Sequence, residues 1–256
     1  MENHQAQNQQ NPQEQESQPP QNDILFVVSS AIHANWGVYN TQERLAQTIG
    51  TCRSIRDRVP NCDIILLDGG TKNLEQEEQN QIKDHIDTFY SFAEADNVKQ
   101  IQSIQNWDIV KNMIEIMIFG SYYSGAKDIL RSKYKRIFKM SGRYVLNDDF
   151  DLEKHVSAKD KIVVRGPYTS QFNAQITGGV TLQYMSRLWS FDASLIDYIA
   201  EVYKQMFGHM QNRLQEGGYI DIEHMMFHHL RSDLVETISK IGIQGNIAPN
   251  GAGIKE

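Results

Sequence analysis

Apolar positions fall in short dense runs separated by segments of helical spacing. Asp23-Ile-Leu-Phe-Val-Val-Ser-Ser30 is such a run, and its β-branched and aromatic residues predict a buried strand ending in two serines. After the loop AIHANWGVYN, Thr41 reads as the N-cap of a helix with Leu45, Thr48, Ile49, Cys52 and Ile55 on one side. That helix stops before Pro60, and Arg44 at its third position leaves the capping box incomplete. Asp63-Ile-Ile-Leu-Leu-Asp68 is a second buried strand, closed by an acid and two glycines. A polar helix over about 74–84 and a short strand at Thr88–Phe92 follow. Asn106–Leu130 is apolar on most sides and predicts a central buried helix, with Lys111 and Glu115 placed to pair at i,i+4.

The second half is more mixed. Arg136–Tyr144 reads as a strand running into a loop, and Lys161–Arg165 and Ala174–Met185 read as strands. A long amphipathic helix covers about 191–215, a shorter one about 220–231, and Val235–Ile247 closes as a strand. Strand and helix alternating in the first half imply a parallel sheet covered on both faces. Such sheets take ligands beyond the carboxyl ends of their strands, which makes Ser29, Ser30, Asp68 and Arg143 one candidate site.

Composition changes the picture at the N-terminus. Residues 1–22 hold eight Gln, four Asn and three Pro, and predict a disordered leader. Three of the acids behind the formal net charge of −7 (Glu2, Glu14 and Glu16) lie there without a Lys or Arg. Residues 23–256 are then a near-neutral single domain, and the acidic total excludes a basic nucleic-acid face. No run of 18 apolar residues, no signal sequence and only two cysteines, Cys52 and Cys62, predict a cytoplasmic protein without a transmembrane segment. Both cysteines read as small core residues.

Several residue sets carry chemistry. The first strand lacks GxGxxG and the chain lacks a P-loop, which argues against NAD or FAD. Asp68 reads either as an acceptor for a ribose or base, or as a turn residue. Alternation puts Lys139, Ser141 and Arg143 on one side of their strand, a cationic set suited to a pyrophosphate, and Gly142 permits close approach. Asp148 and Asp149, just beyond, are candidates for Mg²⁺ or Mn²⁺. On the helical wheel of Tyr219–Leu230, Glu223 and His229 fall inside the apolar arc, and His224 and His228 fall outside it. A carboxylate there has a raised pKa if unpaired and suits a general base. HxxxH at His224 and His228 lacks an obvious third metal ligand. Gly178 and Gly179 within a strand pattern signal a bulge or a close ligand.

The strand order, the acidic end at Asp68 and the segment Phe138-Lys-Met-Ser-Gly-Arg-Tyr-Val-Leu146 after a buried helix together resemble nucleotide-sugar glycosyltransferases of the GT-A type. The segment is similar to one in uncharacterised bacterial and viral sugar-transferase-like proteins, and the resemblance covers about residues 23–247. It implies an α/β, Rossmann-like, mixed but mainly parallel sheet flanked by helices. It also implies a nucleoside-diphosphate sugar donor and a glycan or other hydroxyl acceptor. The nucleotide then falls to Ser29, Ser30 and Asp68, the acceptor strand to Gly178 and Gly179, and the catalytic base to Glu223 or Asp221. The family's Asp-x-Asp metal motif is absent. Either Asp148, Asp149 and His228 hold the divalent cation, or Lys139 and Arg143 replace it in a metal-independent mechanism. The resemblance places such a protein in the cytoplasm or at the periphery of a membrane-bound glycan assembly system. A non-catalytic nucleotide-sugar or glycan-binding module is the alternative. A nucleotidyltransferase is disfavoured, because AIHANWG is not a glycine-rich basic loop.

Overall fold

The computed structural model describes residues 22–247 and 251–256. The expected leader therefore lies outside the described residues, apart from Asn22, whose side-chain amide donates to Asp63 at 2.7 Å. The first half follows the predicted order: β1 (Ile24–Ser30), α1 (Thr41–Arg58), β2 (Cys62–Asp68), α2 (Gln76–Ile82), β3 (Thr88–Ser91), α3 (Asp96–Gln102) and α4 (Trp107–Lys133). Next come β4 (Arg136–Ser141), β5 (Tyr144–Leu146), α5 (Leu152–Ser157), β6 (Ile162–Arg165), β7 (Tyr168–Thr169), β8 (Leu182–Gln183) and β9 (Leu188–Asp192). The described chain ends with α6 (Ile196–Gln215), α7 (Ile222–His229), β10 (Val235–Ile238), β11 (Ile243–Asn246) and β12 (Gly253–Lys255).

The main sheet has the order β10-β6-β9-β4-β1-β2-β3. Its pairings are parallel except those of β9, which runs antiparallel between β4 and β6. The strand period of two sorts the core into two layers. Leu25, Val27, Ile65, Leu67 and Ile137 face α4 and α6, while Phe26, Val28, Ile64, Leu66, Phe138 and Met140 pack toward α1. Phe26 and Phe138 stack across adjacent strands at 4.4 Å. The expected mixed, mainly parallel sheet between helices is the one observed.

Four local expectations are corrected. The N-cap of α1 is Asn40, not Thr41, and the capping box is complete. Asn40 Oδ1 accepts from the Glu43 amide at 3.0 Å, and Glu43 Oε2 accepts from the Asn40 amide at 2.7 Å. Lys111 pairs with Asp108, three residues back, while Glu115 turns inward to Lys139. Ala174–Met185 is not one strand: 174–179 is a turn in which Gly178 and Gly179 take φ of 70° and 92°, and only Leu182–Gln183 pairs, with β7. Val235–Ile247 splits between two sheets, because β10 joins β6 while β11 joins β5 and β12. Cys52 and Cys62 are free and fully buried, and burial pushes both thiols up to about 12. No helix among the described residues is long and apolar enough to cross a membrane.

Candidate active site

A cavity of about 470 Å³ opens beyond the carboxyl ends of β1, β2 and β4, where the parallel-sheet rule places a ligand. Ser29 and Ser30 from β1, Gly69 after β2, and Ser141, Gly142 and Arg143 at the end of β4 form its floor and one side. The start of α4 and the start of α7 supply the other, with Lys111, Glu115, Asp221 and Glu223.

The β4 end is built by tight backbone contact. The Gly142 amide donates to the Ser29 carbonyl at 2.7 Å, and a Cβ on Gly142 would sit 2.8 Å from that oxygen. The glycine thus seats β4 against β1 and lets the chain turn so that Arg143 lines the cavity. Among the described residues no carboxylate lies within ion-pair reach of Arg143. Its guanidinium lies over the Tyr144 ring at 5.8 Å, and Arg187 approaches the same ring at 5.9 Å. Arg44 also lines the cavity, its guanidinium held by the carbonyls of Tyr39, Trp36 and Ala31 at 3.0, 2.5 and 3.4 Å. Burial, and then the neighbouring Arg143 charge, hold Arg44 below its usual value. Of the three arginines, only Arg187 has an acid partner among the described residues, Glu256 at 2.9 Å. Net positive charge is therefore concentrated on this wall.

Alternation along β4 correctly put Lys139 and Ser141 on one side. However, Lys139 lies beneath the cavity rather than in it. It is fully buried, with Nζ donating to Ser141 Oγ at 3.0 Å and to the Ser186 carbonyl at 2.7 Å, and paired with Glu115. Its charge is spent on holding α4, β4 and the 183–187 segment together.

Asp68 likewise belongs to the scaffold. Its carboxylate is fully buried and accepts from Ser30 Oγ at 2.6 Å, the Ile32 amide at 3.0 Å and the Gly70 amide at 3.1 Å. It shapes the loop after β1 and does not line the cavity, so the turn reading of this residue is the one the geometry fits.

The opposite wall is set by the start of α7. Asp221 caps the helix, accepting from the His224 amide at 3.0 Å, and its Oδ1 also meets His224 Nδ1 at 2.5 Å. The buried His224 reaches Ser170 Oγ through Nε2 at 2.6 Å. Asn112 of α4 accepts from the Ile222 amide at 3.3 Å and donates to Tyr219 Oη at 3.0 Å, which ties α7 to the central helix. Glu223 is thereby directed into the cavity, where Ser186 Oγ donates to it at 2.5 Å. Desolvation, reinforced by the Asp221 charge, pushes Glu223 up to about 7.

The remaining sequence candidates do not reach this place. Asp148 is exposed and pairs with Arg58 at 2.7 Å, and Asp149 pairs with Lys240 at 2.7 Å. His228, at the far end of α7, does not line the cavity. These three would-be metal ligands neither converge on one another nor line the cavity, so as a set they do not fit a divalent ion there. Gly178 and Gly179 lie in an exposed turn, away from the cavity lining. Sequence reasoning missed Arg44, Arg187 and Glu115. Only Glu115 carried a signal, as an acid within an apolar helix.

The sequence matches no family model and no curated protein. Among solved structures the chain is similar to core-mannan synthase A from Aspergillus fumigatus in its Mn/GDP form. Identity is 14%, the TM-score is 0.50, and the match covers 89% of this chain and 76% of that one. At that identity the likeness is one of fold, and the chain has a GT-A-like, Rossmann-type α/β fold.

Proposed function

We propose that the protein is a glycosyltransferase moving a sugar from a nucleoside-diphosphate donor to a glycan or other hydroxyl acceptor. The observation that carries this reading is the polarity of the cavity, with Arg143, which has no acid partner among the described residues, on one wall and the Glu223 carboxyl on the other. Negative charge grows on the diphosphate as the glycosidic bond breaks, and a fixed guanidinium already in place stabilises it without reorganisation. Arg143 fills that role, supported by Arg44 and Arg187. Raised to about 7, Glu223 is a stronger base than an ordinary glutamate and is still ionised in part near neutral pH, and its ionised form can take the proton of an attacking hydroxyl in an inverting reaction. Asp221 raises the proton affinity of Glu223, and Ser186 orients it. The Asp221 carboxylate is engaged with His224 and serves as a positioning group.

The test is a thermal-shift and transfer screen with nucleoside diphosphates and their sugars, with and without Mn²⁺. Arg143→Ala should weaken diphosphate binding at least about tenfold and abolish transfer while the fold survives, since an unpaired charge-assisted contact contributes about 1.5–3 kcal/mol. Full activity in that variant would remove the reading. Stabilisation without Mn²⁺ would assign the leaving-group charge to the arginines. The dispersal of Asp148, Asp149 and His228 favours one second reading, a non-catalytic nucleotide-sugar-binding module. Tight diphosphate binding without turnover across donors and acceptors would select it.

A further inference from the structure

Three imidazoles meet where α6 packs against the end of α7. His209 Nδ1 lies 3.0 Å from His229 Nε2, and the ring centroids of His209, His228 and His229 are 4.8–5.2 Å apart. One ring nitrogen from each lies within 4.8 Å of the other two. Among the described residues no carboxylate pairs with any of the three. Tyr198 on α6 fixes the backbone beneath them: its hydroxyl donates to the His229 carbonyl at 3.0 Å and accepts from the Arg231 amide at 2.7 Å. Three imidazoles brought together in this way, two half-buried and one exposed, suit a cation that accepts nitrogen lone pairs.

We propose that His209, His228 and His229 form a binding site for a borderline divalent transition-metal ion, of which Zn²⁺ is the representative. Tetrahedral zinc with Zn–N bonds of about 2.0–2.1 Å places its ligand nitrogens about 3.3 Å apart. The observed 3.0 Å separation and the 4.8 Å outer limit bracket that spacing, so side-chain rotation alone closes the site. His228 is exposed and offers an entry path, and the fourth position is left to water. An all-imidazole set selects Zn²⁺, Co²⁺, Ni²⁺ or Cu²⁺ over Mg²⁺ and Mn²⁺, which prefer oxygen. The helix C-terminus contributed by α7 adds favourable partial negative charge. None of the three histidines lines the cavity, so the site is separate from the donor pocket and does not rest on the transferase reading. An ion there would clamp α7, whose opposite end carries Asp221 and Glu223, onto α6.

The test uses the untagged full chain, stripped with chelator and titrated with Co²⁺ while visible absorption is recorded. Zn²⁺ is then used to displace the Co²⁺. The expected result is one Co²⁺ per chain with the strong visible bands of a tetrahedral site, lost on Zn²⁺ addition, and a Zn²⁺-dependent rise in Tm. His228→Gln and His209→Gln should each weaken binding at least about tenfold and remove the Tm rise. His85→Gln, remote from the cluster, should change neither. His228 is exposed, so its variant keeps the fold, as circular dichroism would verify. The proposal is overturned if the wild type takes up no Co²⁺ at micromolar concentrations. It is equally overturned if His228→Gln and His209→Gln bind with unchanged affinity and spectrum.

Discussion

Replacing Glu223 by Gln should make the protein more stable and less active, with a stability gain that grows with pH. The folded state holds the Glu223 proton up to about pH 7, against 4.5 for an ordinary glutamate. Below about pH 4.5 both folded and unfolded chains are protonated there, and the group contributes no difference. As pH rises from 4.5 to 7 the unfolded chain ionises while the folded one resists, so the wild type loses stability across that window and then levels off. A shift of that size corresponds to about 3 kcal/mol at most. Glu223 is only partly buried beside an open cavity, so screening by cavity solvent should reduce the measured value to about 1–2 kcal/mol. Gln keeps the acceptor for Ser186 but cannot ionise. Urea unfolding followed by tryptophan fluorescence at pH 5, 6, 7 and 8 measures the difference, since other titrating groups cancel between the two proteins. The difference should widen in favour of Glu223→Gln toward pH 8 as transfer activity falls. A difference that stays flat from pH 5 to 8 would refute the reasoning.

Two further substitutions separate scaffold from site. Lys139→Met leaves Glu115 without its partner and orphans two acceptors, and should cost about 3 kcal/mol. The double variant Glu115→Leu with Lys139→Met should recover most of that in urea unfolding, and a double variant no better than the single one would contradict the pairing. Asp68→Ala strips the Ile32 and Gly70 amides of their acceptor and should cost about 3 kcal/mol, read as a lowered Tm. Loss of nucleotide binding with Tm unchanged would instead return Asp68 to direct ligand contact.

The strand ends were legible because β1 and β2 are dense apolar runs, and β4 a shorter stretch with Ile137, Phe138 and Met140, that stop at small or polar residues. That pattern and the rule for parallel sheets locate Ser29, Ser30, Ser141, Gly142 and Arg143 around one cavity. What the pattern could not supply is the fate of each charge. Lys139 lies within β4 and Arg143 two residues past its end, yet one is neutralised beneath the floor by Glu115 and the other has no acid partner among the described residues. Only the packing of α4 over β4 decides between them. Arg44 and Arg187 were invisible for a related reason: each comes from a segment whose path is set by distant carbonyls or by Glu256. The 174–185 segment misled because its alternation is that of a strand, while two glycines at positive φ turn the backbone away. β9 was missed, its first three residues unassigned and its last two taken into the following helix, because five residues carry too little periodicity to stand out.

That short strand has a consequence for how the protein is made. β4 and β6 both precede β9 in the chain, and neither touches the other without it. The β1–β2–β3 half with α1 can assemble from neighbouring segments as they emerge. The other half waits for a strand that begins about fifty residues after β4, which is a slow, non-local step. Until β9 inserts, β4 presents an unpaired apolar edge of the kind that recruits other chains. Folding yield, more than equilibrium stability, is therefore the property most exposed to substitution in Leu188–Asp192.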